Sequence, residues 1–347
     1  MTPTTALNPN LPAMSQNAAR SRLTCNEEDS ERWREQRPFR LKGDAVQTDP
    51  FEEYRSLLFA IAYRMLGSAM EAEDIVQEAY LRYHATPPES IRTLKRFLTT
   101  IVHHLCLDHL KSAQVRRENY VGPWLPEPIL TGDGAAPRSP LRQISDQESI
   151  SMAFLVLLES LSPLERAVFL LREVFDYEYA EIAQISGRDE AACRQLFSRA
   201  KKHIRDHRPR FPASPAAHAN MVGRFMEACM AGNMDGLMRL LAEDVTVWSD
   251  SGGKVAGASH RPIQGRDKVA RATIGLLARA PEGTTFEVIE ANGLPALLIR
   301  VRGQIVGVLT LEVEGDFIRA MRNVANPDKL AHLHLPRMSY PVWRIRS

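Results

Sequence analysis

The sequence predicts a multidomain protein, with two all-α helical units followed by an α+β unit. Three observations predict it. Residues 51–117 and 145–208 carry apolar side chains at helical spacing. From about 218 two further helical segments, 218–242 and 265–280, give way to apolar, β-rich runs punctuated by glycine. A Gly/Pro-rich stretch, Gly122 to Pro140, and a proline-containing linker, 209–217, separate the blocks.

The chain has 347 residues, which suits two or three domains. The longest apolar run, Met152 to Leu158, is far short of the roughly 20 residues a membrane helix needs. The first residues lack the basic start and apolar core of a secretory signal. Cys25, Cys106, Cys193 and Cys229 are far apart with no CxxC pair, which argues against a disulfide scaffold and a zinc ribbon and fits a reducing cytoplasm. The net charge of +2 hides an asymmetry. Residues 92–117 hold six Lys or Arg against Asp108, and 188–210 hold eight against three acidic residues. Two concentrated basic patches on a nearly neutral chain suggest two contacts with a polyanion, although a solvated charged face would look the same by charge alone.

Residues 1–50 mix Pro, Asn, Ser and charges of both signs without periodicity, and read as a disordered extension with a short helix near Glu27–Glu35. In 71–83, Ile75, Ala79 and Tyr83 share one side of a helix, and Glu71, Asp74, Gln77, Glu78 and Arg82 the other. That acidic side would suit a basic partner or plain solvent. Residues 87–117 read as a loop entering a basic helix, whose stripe of Phe97, Leu98, Ile101, Leu105, Leu107 and Leu110 is bracketed by Arg92, Lys95, Arg96, Lys111, Arg116 and Arg117. Such a unit could hold single-stranded DNA with an unstacked base. His103, His104, Cys106, Asp108 and His109 resemble a metal cluster, but only His104 and Asp108 have the i,i+4 spacing, so no metal or other cofactor is expected.

Residues 177–205 have the pattern of a helix-turn-helix. Ala183 stands where the helices cross, Gly187 four positions later makes the turn, and Cys193, Leu196 and Ala200 face inward with Ile182. Asp189 is placed to cap the second helix. Its outer face carries Glu190, Ala191, Arg194, Gln195, Ser198, Arg199 and Lys202, types that read base edges in a major groove. Arg188 lies at its start, and Lys201, Arg205 and Arg208 suit phosphates. The preceding helix opens at Ser162-Pro163 and repeats Leu164, Val168, Leu171 and Phe175.

These segments resemble the extracytoplasmic-function (ECF) sigma factors of bacterial RNA polymerase, specifically the group with a SnoaL-like C-terminal domain. The likeness runs from about 51 to 332. YRMLGSAMEAEDIVQEAYLRY and FLTTIVHHLCLDHLKS look like region 2, and residues 161–202 look like region 4. WLPEP is intact at Trp124, Leu125, Pro126, Glu127 and Pro128, and NPDKL at Asn326, Pro327, Asp328, Lys329 and Leu330. A glycine-rich DGGGK motif reads DSGGK here: Asp250, Ser251, Gly252, Gly253 and Lys254.

The resemblance implies sigma region 2 at 51–117, a linker at 118–144, a helix-turn-helix region 4 at 145–208, a SnoaL-like cone-shaped domain at 218–335 and a tail at 336–347. It implies docking of Asp74, Gln77 and Glu78 on the clamp coiled coil of the β′ subunit, and of the helix from Leu164 on the β-flap. It implies a −10 contact through Arg92, Lys95, Arg96, His103, His104 and Lys111, and a −35 contact through Arg188, Arg194, Gln195, Ser198, Arg199, Lys201 and Lys202. The WLPEP, DSGGK and NPDKL motifs would regulate the sigma regions in cis. A small-molecule effector is a candidate occupant of the C-terminal cavity. Two other readings remain at this level: an ordinary helix-turn-helix regulator touching DNA only through 145–208, and an isomerase or cyclase using Asp250 and His260.

Overall fold

The computed structural model describes residues 49–131, 150–207, 213–255, 258–333 and 342–345, with no side-chain description for 113–118. The expected N-terminal extension and its short helix, the connector beyond Thr131, Arg208 and Arg210 lie outside the described residues, as do the side chains of Arg116 and Arg117.

The first helical unit is α1 (Pro50–Leu66), α2 (Ala69–His84) and α3 (Leu94–Glu118). Asp49 and Ser68 cap α1 and α2 with side-chain oxygens, satisfying backbone donors that a helix start leaves free. Leu58, Ala62 and Leu66 of α1, Ala72, Val76 and Ala79 of α2, and Leu98, Val102 and Cys106 of α3 are all buried. Their three- and four-residue spacing aims each stripe at the same centre.

The second unit is α4 (Met152–Glu159), α5 (Pro163–Phe169), α6 (Tyr179–Ser186) and α7 (Glu190–His207). Ser162 and Glu165 form a reciprocal capping box on α5. The sequence predicts one regular helix through Phe175, but α5 widens at Leu170–Val174 into a π turn, where the Phe175 amide donates to the Leu170 carbonyl. Gly187 ends α6 in the left-handed region at φ +65°, and the Asp189 carboxylate accepts from the Ala192 amide to start α7.

The two units share one apolar core rather than standing apart. Leu158, Val168, Leu171, Ile182, Cys193 and Ala200 belong to the same cluster as Leu58, Val76, Leu98 and Cys106. The buried Arg166 donates to the Met65 carbonyl at 2.6 Å, answering a carbonyl at the end of α1. The guanidinium of Arg64 lies 5.4 Å from the centroid of Phe175.

The third unit is α8 (Pro215–Met230), α9 (Met234–Leu240), β1 (Leu241–Asp250), β2 (Ile263–Gln264), α10 (Arg266–Leu277), β3 (Thr284–Ala291), β4 (Leu294–Val301), β5 (Gln304–Glu314), β6 (Phe317–Val324), α11 (Pro327–Leu330) and β7 (Val342–Arg344). Its seven strands run in the order β2-β1-β6-β5-β4-β3-β7, antiparallel except for β1 against β6. Helices α8, α9 and α10 pack on the sheet, over Phe225, Met226, Val269, Phe286, Leu297, Leu311 and Met321. This is the α+β arrangement expected of a SnoaL-like domain.

Two expectations change here. The helix expected over 218–242 breaks at Gly232, and the chain is already a strand by Leu241. Leu241 pairs with Ile318 and, past a bulge, Thr246 to Asp250 pair with Ala320 to Val324 of β6, and the β-branched Val245, Thr246 and Val247 prefer that pleated surface to a helix. Part of the expected tail is also a strand: β7 adds to β3, and Trp343 and Ile345 pack on the sheet core.

Candidate nucleic-acid interface and motif junction

Helix α7 presents Arg194, Gln195, Ser198, Arg199, Lys201 and Lys202 to solvent, with Arg188 exposed in the turn before it, while Cys193 and Ala200 are buried. Some of these cations are held in place. Arg194 donates to Glu190 at 2.6 Å and lies 4.9 Å from the Tyr179 ring centroid. Lys201 donates to both Glu173 oxygens at 3.0 Å. Gln195, Ser198 and Lys202 remain exposed beside them.

On α3 and the loop before it, Arg92, Lys95, His104 and Lys111 are exposed and Arg96 half-buried. His103 is a correction: it is 2% exposed and faces the core, one hundred degrees of helix away from His104. A buried imidazole cannot reach a nucleic-acid backbone in this arrangement. Burial, reinforced by the charge of His104, pulls the His103 pKa down to about 4. Asp108, fully exposed, is held below its ordinary value by Lys111.

The neighbours of α3 were not legible in the sequence. Thr99 and Tyr177 share a hydrogen bond at 2.8 Å in the core. The Lys95 ammonium sits 4.6 Å from the Tyr177 ring centroid, and Arg96 donates to Gln184 of α6 at 2.6 Å. Part of the basic face of α3 therefore packs against the helix-turn-helix unit.

Helix α2 leaves Asp74 and Gln77 exposed, with Glu78 half-buried and accepting from Arg82 at 2.7 Å. Met70 and Leu81, 48% and 57% exposed, extend the same stripe at i−4 and i+7 of Asp74. The sequence reading missed both; their spacing was the available signal.

The three short motifs meet. The Asp250 carboxylate, fully buried, accepts from the Leu125 amide at 2.8 Å, from the Tyr120 hydroxyl and from Lys329 at 2.8 Å. Lys329 also donates to the Leu125 carbonyl, and its ammonium lies 3.9 Å from the Trp124 ring centroid. The backbone carbonyl of Asp250 accepts from the Ala325 and Asn326 amides at 2.7 and 2.8 Å. Burial, then the bond to Asp250, raises the Tyr120 pKa. Lys254 pairs with Asp328, so Lys329 rather than Lys254 is the counter-ion of Asp250. Gly252 has φ +56°, and a Cβ there would lie 2.5 Å from the Asn326 amide nitrogen.

At the other end of the same linker, Glu127 accepts from Ser68 at 2.9 Å and from the Ala69 and Met70 amides at 2.8 and 3.2 Å, an anion at the N-terminus of α2. Tyr63 of α1 donates to the Glu127 carbonyl at 2.7 Å and accepts from Asn292 at 2.7 Å. Asn292 and Gly293 occupy the β3–β4 turn at φ +53° and +72°, and Asn292 also bonds Ile129 and Ile150. The linker is thus bonded to the first helical unit on one side and to the sheet domain on the other. Tyr63, Tyr120 and Asn292 were missed because no local pattern marks a residue whose partners lie more than 60 positions away.

Asp250 and His260, the candidate acid–base residues, have separate surroundings: the first is enclosed in the junction and the second is exposed. Among the described residues no group of three or more His, Cys, Asp or Glu is placed to hold a metal ion, and no helix is long and apolar enough to cross a membrane.

Two family models match the chain: sigma-70 region 2 at residues 50–116, and sigma-70 region 4 at 151–204. The fold and these matches define a sigma factor of the sigma-70 type. The chain is 38% identical over 313 residues to the ECF RNA polymerase sigma factor SigJ of Mycobacterium tuberculosis (strain ATCC 25618 / H37Rv), covering 87% of this chain and 99% of the relative. It is 30% identical over 295 residues to the ECF RNA polymerase sigma factor SigG of Mycobacterium tuberculosis (strain CDC 1551 / Oshkosh), covering 75% of this chain and 74% of that one. The crystal structure of Mycobacterium tuberculosis SigJ superposes with a TM-score of 0.67 at 36% identity, over 82% of this chain and 99% of that one. The chain belongs to the ECF RNA polymerase sigma factors: a non-enzymatic initiation factor whose partners are core RNA polymerase and promoter DNA.

Proposed function

We propose that region 2 reads the −10 element through Arg92, Lys95, Arg96, His104 and Lys111, and region 4 the −35 duplex through Arg188, Arg194, Gln195, Ser198, Arg199, Lys201 and Lys202. Phosphate contacts supply affinity and register, and the few base contacts supply sequence. The outward stripe of α2, acidic at Asp74 and Glu78, polar at Gln77 and apolar at Met70 and Leu81, docks on the clamp coiled coil of β′. The helix from Pro163 meets the β-flap, and the protein works in the cytoplasm, where core polymerase is.

We further propose that the C-terminal domain, 218–335, controls the sigma regions in cis. The observation that carries this reading is the bonding of the C-terminal domain to the linker and to α1, through Asp250 and Lys329 on Leu125 and Asn292 on Tyr63, in a chain whose region 2 rests by Lys95 and Arg96 against Tyr177 and Gln184 of region 4. A protein holding both promoter elements at once has to part these surfaces. The motif junction then sets the balance between packed and extended states.

The test is transcription in vitro with purified core polymerase over a promoter library. Full-length protein directs initiation at specific sites. Lys329→Met and Gly252→Val, which open the junction, change that activity relative to the unaltered chain. Unchanged transcription from both variants would rule out control through the junction. Failure of the full chain to redirect core polymerase would rule out the promoter assignment itself, leaving the helix-turn-helix regulator as the alternative.

A further inference from the structure

We propose that the crevice where the helix-turn-helix unit meets the sheet domain is a binding site for an uncharged, mainly apolar small molecule bearing one hydroxyl or carbonyl group. The cavity measures about 650 Å³, within the range of small-molecule sites. Met152, Phe154 and Leu157 of α4 form one wall, and Leu294, Leu311 and Val313 of the sheet form the other. It borders the core between the sheet and helices α8–α10, to which Leu311 and Val313 also belong and which is itself filled by side chains such as Phe225, Met226 and Phe286.

The few polar groups narrow the ligand class. His218, in the first turn of α8, lines the cavity and is 3% exposed. Its Nε2 has no hydrogen-bond partner among the described residues. Burial takes its pKa down to about 4, so the ring is neutral near pH 7. A neutral imidazole donates to a carbonyl or accepts from a hydroxyl according to its tautomer, and a buried polar nitrogen of this kind calls for such a partner. Elsewhere on the lining, Glu312 and Arg322 pair at 2.6 Å with little exposure. One carboxylate and one guanidinium neutralise each other. The other imidazoles of the lining are already engaged, His203 with Ser160 at 2.7 Å and His207 with the His203 carbonyl at 2.8 Å, so a charged ligand would lose its hydration there for little return and the site selects against it.

The two walls come from different units, so an occupant that fits the packed state better than the extended one shifts the balance between them. That regulatory consequence rests on the cis-control reading; the site itself does not.

The test uses the full-length chain and Nile red, an uncharged fused-ring dye with one ketone. Saturable one-to-one fluorescence enhancement is expected. In competition, 9-fluorenone displaces the dye at about fivefold lower concentration than fluorene, which lacks the oxygen, and fluorene-9-carboxylate competes worst. His218→Phe keeps the volume and erases the preference for fluorenone. Ala153→Trp fills the cavity and weakens dye binding about tenfold; Leu294→Trp serves the same purpose if the first variant does not fold. Unsaturable binding, binding indifferent to the filling variants, or a fluorenone preference that survives His218→Phe would each overturn the proposal. Dye binding that behaves as expected while Lys329→Met leaves transcription unchanged would remove cis control and leave the site. Absent binding with altered transcription would do the reverse.

Discussion

Lys329 and Asp250 show how one residue pair can hold two modules together. The carboxylate is wholly buried and the lysine side chain 8% exposed, so neither charge is shared with water. Removing one partner of such a pair costs more than removing both, because the survivor is left buried and uncompensated. Lys329→Met is expected to destabilise the fold by about 3–5 kcal/mol, and Asp250→Asn in the same chain to recover part of the loss; urea unfolding followed by tryptophan fluorescence would measure both. On the proposed DNA face, Arg194 and Lys201 are expected to divide by role. Arg194→Ala is expected to cost about 1–3 kcal/mol in promoter binding and to relax one position of the −35 sequence. Lys201→Ala weakens all sequences alike and flattens the salt slope by about 0.9. Binding titrations across salt concentrations and site variants separate them, and identical profiles would overturn this division.

At the level of the element, α3 is a helix with two unlike sides, a basic one facing solvent, where we propose DNA, and one facing a packed core. His103 sits on the core side. Its folded pKa of about 4 lies below the ordinary value of about 6.5, so the unfolded chain takes up a proton over a range where the fold keeps the ring neutral. Stability is therefore full above pH 6.5 and falls as pH drops toward 4, by up to about 1.4 kcal/mol per pH unit. His103→Leu is expected to flatten that acid limb in thermal melts between pH 4 and 6.5, leaving the smaller slope that His218 contributes in the same direction. A limb of unchanged steepness would mean that His103 takes up its proton within the fold.

For the molecule as a whole, the decisive feature is that both helical units share a core and the linker ties that core to the sheet. Arg96 and Gln184 stand 88 positions apart in the sequence, yet the two side chains touch. If this contact belongs to the resting state, a thiol crosslinker joining Arg96→Cys to Gln184→Cys will lower promoter-directed transcription, and cleaving the crosslinker will restore it. Fluorescence transfer between dyes on the same two positions should fall when core polymerase and promoter are added. A crosslinked protein that initiates normally would show that the packed arrangement does not hold region 2 back.

The helix-turn-helix, its caps and its outward face could be read from residues because each depends on partners within a turn or two. Asp189, Gly187, Cys193 and Ala200 are an example. The motifs WLPEP, DSGGK and NPDKL could be recognised but not explained, since the bonds that tie them to one another, to the linker and to the helical unit span 57 to 206 positions. The start of β1 and the strand in the tail escaped for a related reason: short β-prone segments become strands only when a neighbouring edge accepts their backbone bonds. Sequence alone thus determined the family, the helical units and the polar surfaces, all of which follow from local spacing and side-chain chemistry. Tertiary structure alone decided that His103 is core, that Lys329 and not Lys254 answers Asp250, and that region 2 rests against region 4. Those outcomes depend on which distant surfaces exclude water together, and no stretch of chain carries that information by itself.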